Sequence, residues 1–310
     1  MSTRLGTIGT TGPETAFAPD VALRIVAPRR TFREHVRDIV QYHELLASLI
    51  RKELKVKYKN SVLGFAWSLL NPLLYLAVYY VVFDLLLGSA ITAFPIFLLS
   101  GLLVWNFFAT SLIAGTSSIA EGGSLVKKVF FPREVLPLAS EGAAFVHFVL
   151  QFFVLVVVML VVRWNVDIRF VWLVVPALAV MLLLAAALNI LLSAVNVYAR
   201  DVKHLIEIVL LAWFWLTPIV YQWGLFDSRL GRRGLNWIVL LNPVTSVTLA
   251  FQRGIYNRTT ASDGTTVLLP GTSALWYVRN LTIVGVVSAL LLFLAVRVFD
   301  RLEGNFAEVI

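Results

Sequence analysis

The sequence predicts an all-α membrane protein, and three observations carry that prediction. Of its 310 residues 59% are hydrophobic against 14% charged, the mean hydropathy is +0.84, and the apolar residues gather into runs of about twenty, the length a helix needs to cross a bilayer. Helices are the required element because hydrocarbon offers no partner to backbone N–H and C=O groups. Cysteine is absent, which excludes disulfides, iron–sulfur centres and thiolate zinc sites.

Residues 1–30, with Gly6, Gly9, Gly12, Pro13, Pro19 and Pro28 among Thr and Arg, hold too few large apolar groups to offset the entropy of ordering. They predict a disordered cytosolic tail. Thr31 and Glu34 then have the spacing of a capping box. Phe32, Val36, Ile39, Val40, Leu46, Ile50 and Leu54 recur at three- and four-residue intervals, so 31–60 reads as one amphipathic helix. Its basic end, Arg51, Lys52, Lys55, Lys57 and Lys59, abuts the first apolar run, which suits a helix lying in the cytosolic membrane interface. A basic linker helix that touches nothing is the plainer alternative.

Six candidate spans follow, at 62–87, 94–115, 139–162, 171–196, 205–222 and 277–298, within a transmembrane domain over 61–299 and ahead of a cytosolic tail at 300–310. An even number puts both termini on one side. With the N-terminus in the cytosol, 18 of the 26 Lys and Arg residues fall inside, as the positive-inside rule requires. The net charge of +8 is then explained by topology and anionic lipid, with no nucleic-acid partner. Between the last two spans, 223–275 reads as an outer gate region. There 235–241 is too short to cross, Asn242-Pro243 interrupts it, and 244–256 carries Gln252 and Arg253. Two short re-entrant helices fit better than a seventh span, which would expose Arg297 and Arg301 to the outside. The polar stretch 259–266 predicts an exposed turn.

The chemistry is sparse. No G-x-x-x-x-G-K-[ST] occurs, and Gly122-Gly123-Ser124 before Lys127-Lys128 has the wrong spacing for a phosphate cradle. No donor-metal motif is present for a membrane glycosyltransferase. Ion-coupled transport keeps ionisable groups inside the bundle. Asp84, Glu141 and Glu207 fall near span ends, and His147 is the one that reads as deep, either in a proton relay or in an ordinary helix contact. Lys203 and Glu207, spaced i, i+4, share a face with Arg200 at the cytosolic mouth, as a structural pair or a coupling element.

The inner loop 117–138 sets Glu121, Gly122-Gly123 and Lys127-Lys128 before Val129-Phe130-Phe131 and Pro132-Arg133-Glu134. Exposed phenylalanines beside charges predict an association surface, or residues that dip into lipid. On the first span Trp67, Tyr75, Tyr79 and Phe83 lie four or eight apart and form an aromatic stripe, suited to stacking on sugar rings or to helix packing. Trp213 and Trp215 lie on the fifth span, and Tyr221, Trp223 and Trp237 read as belt residues.

Long segments in one order then resemble a family: LIRKELKVKYKNSVLGFAWSLLNPLLYLAVYYVVF (49–83), LVKKVFFPREVLPLA (125–139), NVYARDVKHLIEIVLLAWFWLTPIVY (196–221), LNPVT (241–245) and RLEGNFAE (301–308). From about residue 35 onward the chain resembles the permease subunit of ABC exporters for lipid-linked polysaccharides, the group moving O-antigen, teichoic acid, capsule and galactan. The resemblance implies a homodimer of six-span subunits in the bacterial inner membrane, a polyprenyl-linked glycan path between them, and two cytosolic P-loop ATPase subunits that bind the ATP and Mg; this chain would bind no cofactor. It assigns Lys127, Lys128, Phe130, Phe131, Pro132, Arg133 and Glu134 to the ATPase-docking loop. Arg51, Glu53, Lys55, Lys57 and Tyr58 go to the interfacial helix, 235–256 to the outer gate, and Tyr75, Tyr79, Trp213 and Trp215 to the channel, to which the aromatic stripe adds Trp67 and Phe83. A composition rich in Arg, Ala and Val with few Lys points to a GC-rich actinobacterial source, and among the cargoes that the resemblance implies galactan is the expected one. An ion-coupled transporter and a membrane glycosyltransferase are the alternatives.

Overall fold

A computed structural model describes residues 32–59, 66–86, 88, 91–230 and 235–309. The expected tail at 1–30 and Thr31 of the capping box lie outside the described residues, as do the side chains of Tyr58, Trp67, Phe83 and Asp84. The described residues are mostly helical, with one isolated β-bridge between Thr260 and Val267.

Where one amphipathic helix was expected over 31–60, two form: α1 (Phe32–Gln41) and α2 (His43–Tyr58). They break at Tyr42 (φ −91°, ψ 22°), where the His43 ring takes the Val40 carbonyl at 3.0 Å. The charged face of α2, with Arg51, Glu53, Lys55 and Lys57, is exposed, while Leu49 is buried. Ile50 packs over Gly142 so closely that a Cβ there would come within 2.5 Å of its Cδ1.

The next elements are α3 (Ala66–Tyr79), which continues as a π-helical segment over Tyr80–Leu86, then α4 (Phe94–Glu121), α5 (Gly123–Val126), α6 (Val135–Val161), α7 (Ile168–Val171), α8 (Val174–Tyr198) and α9 (Val202–Leu216). Three short helices follow, α10 (Gly224–Leu230), α11 (Trp237–Leu240) and α12 (Pro243–Ile255), before α13 (Ala274–Glu303) and α14 (Phe306–Val309). Among the described residues, four helical stretches are long and apolar enough to cross a bilayer: Phe94–Glu121, Val135–Val161, Ile168–Tyr198 and Ala274–Glu303, with Leu73–Val82 as a shorter apolar helix.

The expected span at 205–222 is cut short. Its helix ends at Leu216, and 15 residues reach only about 22 Å against a hydrocarbon core of about 30 Å. Pro218 is the reason: the residue before a proline is pushed out of helical geometry, and Thr217 is extended at φ −107°, ψ 131°.

Helix α4 is the hub, buried along most of its length and packed against α6, α8, α9 and α12. A large apolar core surrounds it, including a phenylalanine cluster in which Phe148 lies 6.0 Å from both Phe107 and Phe251, centroid to centroid. A smaller core of Leu49, Ile119, Val126, Val135, Leu136, Ile190, Val197, Val296, Phe299 and Phe306 closes the end that carries the 117–138 loop. This is called the loop end below, and the opposite one, formed around α12, the cap end.

The 235–256 segment does form two helices, and α12 is buried almost throughout. The Asn242 side chain starts it, accepting from Val244 N at 3.0 Å, with Pro243 in the first turn, where its missing N–H is harmless. The far end is held by Gln252 Nε2 to Phe97 O at 3.3 Å and Tyr256 OH to Thr92 O at 2.6 Å.

Candidate functional site

Two regions gather the residues that the sequence singled out. The first is a groove of about 370 Å³ between α3, α4 and α9, lined by Tyr75, Tyr79, Leu102, Trp105, Asn106, Glu207, Leu210, Leu211, Phe214 and Trp215. Spacing of four on α3 puts Tyr75 and Tyr79 on one face, their rings 6.3 Å apart and 21° from parallel. Trp105 meets Phe214 edge-on at 5.6 Å, and Phe214 meets Trp215 at 5.3 Å. Tyr75 and Trp215 are exposed, so the groove offers flat aromatic faces with an amide, Asn106, and a carboxylate, Glu207, among them. Aromatic walls with a few polar groups suit a ligand that is apolar on its faces and hydroxylated at its edges, as a sugar ring is.

The structure separates two tryptophans that the sequence put together. Trp215 lines the groove; Trp213, half a turn away, points into the bundle, where it packs on Phe108 at 5.2 Å and donates Nε1–H to Asn242 Oδ1 at 2.8 Å. Asn242 Nδ2 donates to Thr217 Oγ1 at 2.8 Å, so one amide joins the end of α9 to the start of α12. Asn106 and Glu207 as groove-lining groups were not legible in the sequence, where nothing linked α4 to α9. The expected i, i+4 pair of Lys203 with Glu207 is also replaced: Lys203 Nζ reaches Glu121 Oε1 at 3.1 Å across helices, and Glu207 lies 3.5 Å from His204.

The second region is the loop between α5 and α6. Lys127 and Lys128 are exposed, Val129 is half exposed and Phe130 is 99% exposed at the tip. The following residues turn inward. Phe131 packs on the loop-end core, Pro132 is buried, and Arg133 Nη1 donates to the Glu303 carbonyl at 2.6 Å, with its guanidinium 5.7 Å above the Phe306 ring. Glu134 is 1% exposed beside His35. Lys127 to Phe130 are therefore open to direct contact, Phe131 and Arg133 only in part, and the buried Pro132 and Glu134 act through the shape they impose.

Of the ionisable groups, His147 is deep as expected and Glu141 departs from expectation. His147 is buried, and so is Glu141, which the sequence placed near a span end. Asn189 Nδ2 stands 3.5 Å from Glu141 Oε2 and donates to Ser111 Oγ at 2.7 Å, a polar contact joining α4, α6 and α8. Gly115 permits it: a Cβ there would fall 2.4 Å from Asn189 Oδ1.

Residues 44–256 match the family model described as ABC-2 type transporter. The chain is similar to the O-antigen export system permease protein RfbA of Myxococcus xanthus, 33% identical over 279 residues, covering 89% of this chain and 98% of that protein. It is similar also to an O-antigen export system permease protein RfbA of Klebsiella pneumoniae, 29% identical over 268 residues, covering 86% and 95%.

Proposed function

The chain belongs to the ABC-2 type transporter family, and from that premise we propose that it is the membrane-spanning permease subunit of an ATP-driven exporter of polyprenyl-linked polysaccharide. Its likeness to O-antigen export permeases over nearly the whole chain carries this reading. Two copies form the conduit in the bacterial inner membrane, both termini in the cytosol, in line with the bias of Lys and Arg. Two separate P-loop ATPase subunits bind ATP and Mg and dock on the Lys127 to Phe130 tip, because this sequence has no phosphate-binding loop of its own.

The groove supports the cargo class. Stacking on Tyr75, Tyr79 and Trp215 holds a sugar without fixing its register, which a chain that must slide requires. The basic face of α2, with Arg51, Lys52, Lys55 and Lys59, suits anionic headgroups or the phosphates of the lipid carrier. Within the class we infer an actinobacterial galactan, on a composition with 19 Arg against 7 Lys. Work is done by differential affinity: the ATP-bound partner must bind one arrangement of the permease more tightly than the other, since a ligand that binds both equally shifts nothing.

The test is reconstitution. Native-membrane purification should bring down a P-loop ATPase, and proteoliposomes holding both should move polyprenyl-linked galactan only when ATP is hydrolysed. Transport by this chain alone, driven by a proton gradient, would end the reading and revive the ion-coupled one. Transport of another lipid-linked glycan but not galactan would remove only the cargo.

A further inference from the structure

Three stretches far apart in sequence meet at the loop end around one imidazole. His35 of α1 is 3% exposed; its Nδ1 lies 2.7 Å from Glu134 Oε1 and its Nε2 3.0 Å from Asp300 Oδ1. Glu134 immediately precedes α6 and closes the 127–134 loop, while Asp300 stands one turn before the end of α13. Next to this cluster Arg133 is engaged with Glu303, 3.6 Å from Nε to Oε1, so the base of the loop is tied to α13 twice.

A neutral imidazole carries one N–H, so one of the two carboxylates would face a lone pair; only the imidazolium presents a donor to both. Burial makes this matter, because a carboxylate at 1% exposure without a cation is strongly destabilising. The same three side chains also bring one ligand atom each within 4.8 Å of one another, so a metal ion is the rival occupant of the cluster, and the test below separates it from a proton.

We propose that His35 is a proton-dependent positioning residue: as an imidazolium it holds the N-terminal interfacial helix, the base of the 127–134 loop and the end of α13 as one body, and on losing its proton it releases α1 from them. Glu134, immediately before α6, and Asp300 of α13 are the charged groups that face the ring. The direction of titration agrees: Glu134, within hydrogen-bonding range, raises the His35 pKa above its ordinary value, burial opposes it, and the charges of Glu134 and Asp300 raise it further. A raised folded-state pKa means the tie is complete below the unfolded value of about 6.5 and is lost as pH rises through the folded one. The consequence for transport rests on the docking reading above; the tie itself does not.

The test uses the native absence of cysteine. Arg37, exposed on α1, and Arg301, exposed on α13, are replaced by spin-labelled cysteines in the full chain in nanodiscs, and their distance distribution is recorded at about pH 5.5 and about pH 8.5, on either side of a histidine. A narrow distribution at acid pH that broadens at alkaline pH is expected. His35→Lys, a permanent cation, should stay narrow at both, and His35→Gln broad at both. A distribution that is the same at both pH values in the unmodified chain, or a His35→Gln variant as narrow as it at acid pH, would overturn the proposal. So would narrowing that needs added zinc and vanishes with chelator. In the full complex, glycan exported per ATP should vary over this pH range with His35 and stay level with His35→Lys. Broadening with pH in a chain that recruits no ATPase keeps the tie and removes only the docking reading.

Discussion

The two ends of the bundle are fastened with different chemistry. At the cap end the hydrogen bonds that tie α12 to its neighbours are mostly neutral, Asn242 to Trp213, Thr217 and Val244, Gln252 to Phe97, and Tyr256 to Thr92, with Arg253 over the Phe170 ring at 3.9 Å as a charged exception. At the loop end they are charged: His35 with Glu134 and Asp300, Arg133 with Glu303, and Lys203 with Glu121. Neutral hydrogen bonds to backbone carbonyls keep their strength across pH and salt, whereas ion pairs respond to both. The cap end is thus built to stay, and the loop end to be adjusted. The docking proposed above places a joint with an ATPase at that adjustable end.

The sharpest way to break this contrast is at Asn242. Asn242→Ala strands the Trp213 N–H and removes the cap of α12, and each buried group left unpaired is worth about 1–3 kcal/mol. A loss of about 2 kcal/mol or more in stability is expected. It should be the same at about pH 5.5 and about pH 8.5, where no histidine or carboxylate of the cap end enters. Thermal unfolding in detergent checks this. A destabilisation that depends on pH would show that the cap end is held by something besides its neutral bonds.

What the sequence disclosed follows the same divide. Hydrophobic runs reveal helices, so the four long spans and the broken 235–256 segment could be read directly, the latter from Asn242-Pro243. Local spacing gave the Tyr75–Tyr79 pair. The Thr217-Pro218 stop was also in the sequence, but an apolar run hid it, because hydropathy does not register a lost N–H. Contacts between helices leave no local signature. His35 with Asp300, Lys203 with Glu121, and Asn189 with Ser111 join residues 265, 82 and 78 positions apart, and nothing in the local pattern foretells them. For the same reason Arg133 and Glu134 read as part of an outward surface, although the fold turns them to α13 and α1.

At the loop end, Arg133→Ala should have a smaller effect than the cap-end substitution. Its partner Glu303 is a quarter exposed and 3.6 Å away, so the pair contributes about 1 kcal/mol at most. The stacking on Phe306 adds a similar amount. Stability measured by thermal unfolding should fall by about 1–2 kcal/mol at low ionic strength, and the gap to the unmodified chain should narrow at roughly 1 M salt, where charges are screened over about 3 Å. A gap indifferent to salt would put the ring contact and the hydrogen bond to the Glu303 carbonyl, rather than the ion pair, in charge of this joint.

The smallest structural effect and the largest functional one are expected together, at Phe130. The side chain is 99% exposed, so Phe130→Ala removes no packing and should leave stability within about 0.5 kcal/mol, the range of surface substitutions. An exposed phenylalanine between two lysines and a buried loop base is otherwise a liability to solubility, which a covering partner or lipid removes. If a soluble ATPase covers it, Phe130→Ala should lower copurification of that subunit by about tenfold or more, the loss that follows when an aromatic anchor worth about 1.4–2 kcal/mol is removed from an interface. Fluorescence of Phe130→Trp separates the two occupants: quenching relieved by the ATPase subunit in detergent identifies the protein, whereas a blue shift on adding vesicles without it identifies lipid. The second outcome would move the docking surface off the tip and onto Lys127 and Lys128, leaving the inward-facing Arg133 and Glu134 as the means by which a push at the lysines reaches α13 and α1.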